Sequence, residues 1–366
     1  MDFGKRAGML VHQQEPFNAE PTRAILGESA LTALDAFYVR GHATVPQLDE
    51  SSWRLEVGGL TERDLQLGIE DLRHGRFAQH ELVATLQCAG NRRNGLLEVR
   101  DIPGEAPWGP GATGNARWCG VRLEDVLEAA GVRPESRHVA FVGADRSEEV
   151  QPAQLYGVSI PLAKALGEEV LLAYEMNGEP LRAVHGAPVR VVVPGYIGAR
   201  SVKWVTRIEL TSEPWEGYFQ ETSYRLLAPG QQPGPGVGMP LGEVALNADI
   251  LSPEDGARVD TGAVQIRGYA FAGGERAVAR VDVSADGGDN WIQAELLEDH
   301  GRWAWRLWCA QLNLAAGVQE VIARAWDTAA NTQPERPESV WNPKGYANNS
   351  WARIHVRVGE PAAEQA

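Results

Sequence analysis

Cysteine is scarce in this chain: Cys88, Cys119 and Cys309 are the only three among 366 residues. The count is odd and no two lie close in sequence, so neither a disulfide framework nor a CxxC zinc or redox motif organises the fold. No apolar run approaches the ~18 residues of a membrane-spanning helix, which predicts no membrane partner. Positive charge is in deficit: 34 Lys and Arg against 49 Asp and Glu leave a net charge of −15. An acidic surface disfavours nucleic acid and anionic membranes as main partners, although a local basic pocket can still take a small anion. The first twenty residues hold no apolar signal core and no twin arginine, only Lys5-Arg6, and the last four, Ala-Glu-Gln-Ala, are not a peroxisomal address. The expected location is therefore the cytoplasm. GxxxxGK[ST], HExxH and GxSxG are absent, and the eight histidines never recur at i, i+2 or i, i+4, which disfavours a conventional zinc site. Gly109, Gly111 and Gly114 do spell GxGxxG, but DIPGEAPW precedes them in place of a strand and Pro110 sits inside, so the segment reads as a loop.

What is present fits an ordinary globular protein with 43% hydrophobic and 23% charged residues, long enough for two domains. A Pro- and Gly-rich linker over 229–243 separates a mixed part, 1–228, from a β-rich part, 244–366. In the first part, Trp53–Val57, Glu81–Cys88, Val139–Val142, Val170–Tyr174 and Val189–Val193 read as strands, with Asn177-Gly178 as a hairpin turn. Leu123–Ala130 reads as a helix terminated by Gly131. In the second part, AVQIRGYAF, AVARVDVSA, RWAWRLW and VIARAW repeat as short strands between Gly- and Asp-rich turns, which predicts an immunoglobulin-like β-sandwich. Within RWAWRLW, alternation puts Trp303, Trp305 and Leu307 on one face and Arg302, Ala304, Arg306 and Trp308 on the other. The overall class is α+β.

The chemistry-bearing stretch is Leu86-Gln87-Cys88-Ala89-Gly90-Asn91-Arg92-Arg93. A strand delivers one thiol to its end, a Gly-Asn turn follows, then two guanidinium groups. Fixed positive charge lowers a thiol's pKa, and the thiolate is the species that binds soft metals. By themselves a lone strand cysteine is more often a core residue and paired arginines more often surface, so these residues alone leave both readings open.

LVATLQCAGNRR resembles the signature of the sulfite oxidase family of molybdenum enzymes. Further matches are EPFNAEP at Glu15–Pro21, FYVRGH at Phe37–His42, EVLLAYEMNGEPL at Glu169–Leu181, HGAPVRVVVPGYIGARSVKW at His185–Trp204, and RGYAFAGG, VDVSADGG and WAWRLW in the second part. The resemblance implies a molybdopterin-binding domain followed by a dimerisation domain, and hence a homodimer. It implies one molybdenum–molybdopterin cofactor per subunit, with Cys88 as the protein ligand to molybdenum and no haem in this chain. Arg40 and Arg93 would line the oxyanion site, Trp108 would wall it, and Tyr224 would stand beside the reacting oxygen. Two departures from the family pattern are Ser223, where an acidic residue is usual, and Lys344 of WNPKG, where an arginine is usual near the anion; lysine keeps the charge but loses the planar fork. The pterin and its phosphate would lie against Tyr38, Val39, Arg40, Gly41, His42, Asp145, His185, Arg190, Ser201, Val202 and Lys203. The implied activity is oxidation of sulfite to sulfate, with electrons passed to an external acceptor, oxygen or a separate cytochrome. The alternatives are a related molybdenum enzyme acting on nitrate or an S-oxide, and a non-catalytic dimeric binding protein on the same scaffold.

Overall fold

Runs of β-branched and aromatic residues broken by Gly, Pro, Asn and Asp make this chain mostly strand. The computed structural model describes residues 3–359. The mixed part holds two five-stranded sheets. In one, Gln79–Gln87, Thr113–Arg122 and Leu171–Met176 run antiparallel in that order, and Leu171–Met176 is flanked on its far side by Glu179–Pro180 and Arg190–Val192. In the other, Leu65–Leu67, Leu55–Gly59, Val205–Thr211, His138–Ser147 and Gln154–Pro161 follow one another, with the pairing of Leu55–Gly59 and Val205–Thr211 parallel. The helix Leu123–Ala130 packs Leu123, Val126, Leu127 and Ala130 into the core between them and ends at Gly131, φ 76°. Asn177 and Gly178 take φ 53° and 79° and close a two-residue hairpin. The GxGxxG segment is a loop that runs straight into the strand Thr113–Arg122.

The second part is a two-sheet sandwich. One sheet orders Asn247–Ser252, Gly262–Phe271, Arg306–Leu314 and Glu295–Leu296; the other orders Arg258–Asp260, Ala352–Gly359, Gly317–Asp327, Val278–Ser284 and Ile292–Gln293. Ile250, Ile266, Ala270, Trp308, Leu312, Val281, Val321 and Ile354 fill the space between the sheets. The first sheet is apolar on both faces. Leu251, Tyr269, Phe271, Trp305 and Leu307 join the core of the mixed part, so the two parts share one apolar interface. The alternation expected for RWAWRLW holds only from Trp305 onward, because Ala304 N–H bonds Gly301 C=O in a turn and the strand begins at Arg306. Trp303 instead lies under the Lys164 ammonium, 4.3 Å from the ring centroid.

The Pro- and Gly-rich linker contains no helix or long strand, yet it is pinned. Arg225–Leu226 pairs with Met239–Pro240, and the Arg225 guanidinium donates to the carbonyls of Gly236, Val237 and Gly238.

Candidate active site

Cys88 is the first residue past the strand Gln79–Gln87. Its N–H still bonds Ala112 C=O at 2.8 Å, and its Sγ accepts from Gly90 N–H at 3.4 Å. Asn91 N–H returns to Cys88 C=O, and Arg92 takes a left-handed backbone, φ 62°, before the short helix Arg93–Leu97. This sharp turn sends the two arginines apart, and both are buried. Arg92 ion-pairs with Asp249 of the sandwich at 2.7 Å. Arg93 lies over the Tyr346 ring and bonds Lys344 C=O and Ala106 C=O. The loop carrying Cys88 is thus gripped by the second part of the chain: Ala347 N–H bonds Ala89 C=O, and Asn348 bonds Arg92 C=O.

The thiol opens onto a cleft between the two sheets and the N-terminal segment. Tyr38, Val39, Arg40, Gly41 and His42 form one wall, and Tyr224, Asp145 and His185 reach it from other elements. Arg190, Ser201, Val202 and Lys203 complete the lining, so thirteen of the sixteen residues expected at the site share this cavity. Arg93, Trp108 and Lys344 do not line it. Trp108, 1% exposed, packs edge-on against His12 at 4.7 Å within the apolar cluster that also holds Cys88. Lys344 is ion-paired with Glu105, whose other oxygen stands 3.3 Å from Arg93.

The wall residues are set by backbone bonds. Val39 exchanges both N–H···O bonds with Ala19, and Gly41 N–H donates to the Asn18 side chain at 2.8 Å. His42 has three partners: Nδ1 faces Glu149 at 2.7 Å and the Arg40 NH2 atom at 3.1 Å, and Nε2 faces the Tyr224 hydroxyl at 2.6 Å. The carboxylate accepts only and is the nearer of the two groups at Nδ1, so it accepts the hydrogen bond from the Nδ1 proton, and Nε2 accepts from the tyrosine. Burial, with the Arg40 charge adding to it, holds His42 down to about 4, which keeps the ring neutral. His185 is likewise held neutral by burial and by Lys5, whose ammonium donates to its Nε2 at 2.7 Å. Gly186, φ 109°, has no side chain to separate Arg190 from Lys203: a Cβ there would meet the Cβ of each at 3.0 Å.

The thiol behaves differently from expectation. Arg40 and Arg93 do pull its pKa down, but burial outweighs them and pushes the thiol up. Desolvation penalises the thiolate more than two guanidiniums at this range can offset. Thiolate formation at Cys88 therefore calls for a cation of higher charge at the sulfur. Ser201 also differs in detail: its N–H is spent on Gly198 C=O and its hydroxyl accepts from Val193 N–H, which leaves only the hydroxyl proton to donate.

The opposite wall carries unneutralised charge. Arg190, 5% exposed, bonds only carbonyls, those of His185, Val191 and Ser201. Among the described residues no carboxylate lies within ion-pair distance of Arg190 or Lys203. Burial lowers Arg190 to about 10 and Lys203 to about 7, and raises nearby Asp145 to about 6. Asp145 Oδ1 is buried without a hydrogen-bond partner. The Asp145 charge supports Lys203, but Arg190 is buried without a carboxylate partner, and with an orphaned acceptor in an open cleft it is what a polar, phosphate-bearing ligand would satisfy. Among the described residues no three His, Cys, Asp or Glu side chains converge, so a metal at Cys88 would need most of its ligands from that bound group.

Four functional neighbours escaped the sequence reading: Lys5, Glu105, Glu149 and Tyr346. Each comes from a segment remote from the residue it serves.

Comparison with known proteins gives the class first. Residues 42–219 match the family model of an oxidoreductase molybdopterin binding domain, and residues 240–359 that of a Mo-co oxidoreductase dimerisation domain. Neither model describes a haem domain. Mitochondrial sulfite oxidase of Rattus norvegicus is 43% identical over 97% of this chain, which spans 66% of that protein, just under two thirds of its length. Sulfite oxidase of Arabidopsis thaliana is 41% identical over 97% of this chain and 95% of the relative. The solved sulfane dehydrogenase SoxCD of Paracoccus pantotrophus superposes with a TM-score of 0.81 at 28% identity, covering 95% of this chain and 86% of that one. The chain belongs to the sulfite oxidase family. The cofactor of this family fits the cleft: Cys88 would supply a thiolate to molybdenum, and Arg190, Lys203 and the Ser201 hydroxyl would face the pterin phosphate.

Proposed function

We propose that the protein oxidises sulfite to sulfate and passes the electrons to an external acceptor, oxygen or a separate cytochrome. The observation that carries this reading is one cleft with a single thiol at one end and, at the other, Arg190 buried without a carboxylate partner beside Lys203. With the cofactor bound, oxygen-atom transfer and two-electron redox chemistry become available, and that chemistry is the cofactor's own. The chain's residues do the rest. Arg40 on the cleft wall attracts and orients the small dianion, in opposition to the overall charge of −15. Arg93 and Lys344 add positive charge one layer further out. Tyr224 donates to His42, and His42 to Glu149, whose side chain is 36% exposed. This chain of three gives a proton a route between cleft and solvent. Trp108 and the surrounding apolar cluster keep water from the thiol's far side.

The reading extends to assembly and location. Residues 1–228 would form the cofactor domain, 229–243 the linker and 244–366 an immunoglobulin-like dimerisation domain that makes a homodimer. The outer face of its larger sheet supports this: Arg324 lies 3.7 Å from the Trp291 ring centroid and 5.3 Å from that of Trp351, a half-buried aromatic surface suited to an interface. The three cysteines, all free, are in keeping with the cytoplasm.

The test is molybdenum and pterin content of the purified protein, together with sulfite-dependent dye reduction. Cys88→Ser is expected to abolish turnover and leave the fold intact by circular dichroism. Activity confined to nitrate would overturn the substrate; full sulfite activity in the serine variant would overturn the ligand role.

A further inference from the structure

We propose that Glu105 is a specificity-determining counter-ion of the anion site, whose carboxylate occupies Arg93 and Lys344 until an oxyanion displaces it. The inference rests on reading the cleft as an oxyanion site. Glu105 stands between the two basic groups: one oxygen is 3.3 Å from the Arg93 NH2 atom and the other pairs with the Lys344 ammonium. The cluster is secluded, with side-chain exposures of 16% for Glu105, 2% for Arg93 and 18% for Lys344. Arg93 spends Nε on Lys344 C=O and NH1 on Ala106 C=O. NH2 is thus the guanidinium nitrogen without a carbonyl partner, and it is the one Glu105 takes.

That guanidinium is close to the reacting centre. It folds over Gly90, where a Cβ would meet it at 2.7 Å, and the Gly90 amide donates to the Cys88 sulfur. Beneath it lies Tyr346, stacked at 5.6 Å on Tyr224 of the cleft wall. Arg93 therefore sits one ring away from the cleft, and Glu105 reaches it from the loop between the helix Arg93–Leu97 and the strand Thr113–Arg122.

A resident carboxylate has two chemical consequences. Every anion must replace an existing ion pair, so weakly charged anions are selected against and a dianion is favoured. When the product, also a dianion, leaves, Glu105 returns to the same donors and lowers the barrier to its release. Glu149 plays a lesser version of this part 3.7 Å from Arg40, but it is also committed to His42.

The test measures inorganic sulfate binding to the holoenzyme by calorimetry at fixed ionic strength, with sulfite KM and kcat, for wild type, Glu105→Gln and Glu105→Asp. The Gln variant is expected to bind sulfate about tenfold more tightly, the size of one charge interaction in a partly buried site. Its sulfite KM falls in the same direction, and the Asp variant stays close to wild type. Unchanged, weaker or undetectable sulfate binding in a folded Gln variant would make Glu105 a structural brace and overturn the proposal. A crystal of the wild-type protein with sulfate serves if the variants do not fold: sulfate on Arg93 or Lys344 with Glu105 displaced supports it, and intact Glu105 ion pairs beside bound sulfate refute it. Tighter sulfate binding without any sulfite turnover would keep the counter-ion role and remove the sulfite reading. Sulfite turnover with unmoved sulfate affinity would do the reverse.

Discussion

A buried guanidinium with no carboxylate partner costs stability unless a ligand brings the missing charge. Arg190 is such a group, and its cost in the cofactor-free protein should be measurable. Arg190→Gln keeps hydrogen-bonding capacity toward the His185 and Ser201 carbonyls and removes the charge. We predict that the cofactor-free variant is at least as stable as wild type in urea, while molybdenum content after expression falls by about tenfold, the scale of one charge-assisted phosphate contact. A stability loss with unchanged loading would show that the charge serves the fold. His42 gives a second expectation at this scale. It is held at about 4, below its ordinary 6.5, so between those values the unfolded chain binds more protons than the folded one. Its contribution is fully present above pH 6.5 and is lost as pH falls toward 4, a span of up to roughly 3 kcal/mol. Asp145, raised to about 6, acts with the opposite sign, so the comparison must be with a variant. His42→Asn should flatten the acid limb of Tm against pH; an unaltered limb would assign it to other groups.

At the scale of elements, glycine geometry sets the cation spacing. Gly186 ends the single turn Ala183–His185 with φ 109° and lets Arg190 and Lys203 approach across it. Gly186→Ala would strain the backbone and wedge the two side chains apart, costing about 1–3 kcal/mol. Cofactor loading is predicted to fall more than Tm does, checked by molybdenum per protomer against a thermal scan; full loading would show that the spacing is not critical. The same elements explain what the sequence could disclose. The strand that delivers Cys88, the helix stopping at Gly131 and the Asn177-Gly178 hairpin were legible because each depends on adjacent residues. Cavity residues such as Tyr38, Asp145 and Lys203 were reached through the family resemblance, since nothing in their neighbours marks them. Glu105 on Arg93, Glu149 on His42 and Lys5 on His185 were hidden because long-range folding creates those pairs. The thiol's direction was misjudged for a related reason: its adjacent arginines are visible in sequence, and the burial that outweighs them is not.

For the whole molecule, the sandwich braces the turn at the thiol end of the cleft. Asp249 is 3% exposed and takes ion pairs from Arg92 at 2.7 Å and Arg23 at 3.1 Å, while Asn91 donates to Tyr269 on the neighbouring strand. These contacts hold the turn that presents Cys88 and Arg93, so docking of the two parts and the shape of the site are one structural problem. Removing the shared carboxylate leaves Arg92 buried without its partner, a change worth about 3–5 kcal/mol. Asp249→Ala should therefore unfold at lower urea and, because Arg92 adjoins Arg93 in the same turn, raise the sulfite KM. Urea titration followed by tryptophan fluorescence reads the first effect and steady-state kinetics the second. A variant that loses stability but keeps wild-type KM would mean that the Cys88 turn holds its shape without the sandwich. In that case the Ala347 and Asn348 contacts to Ala89 and Arg92 would be enough to fix it.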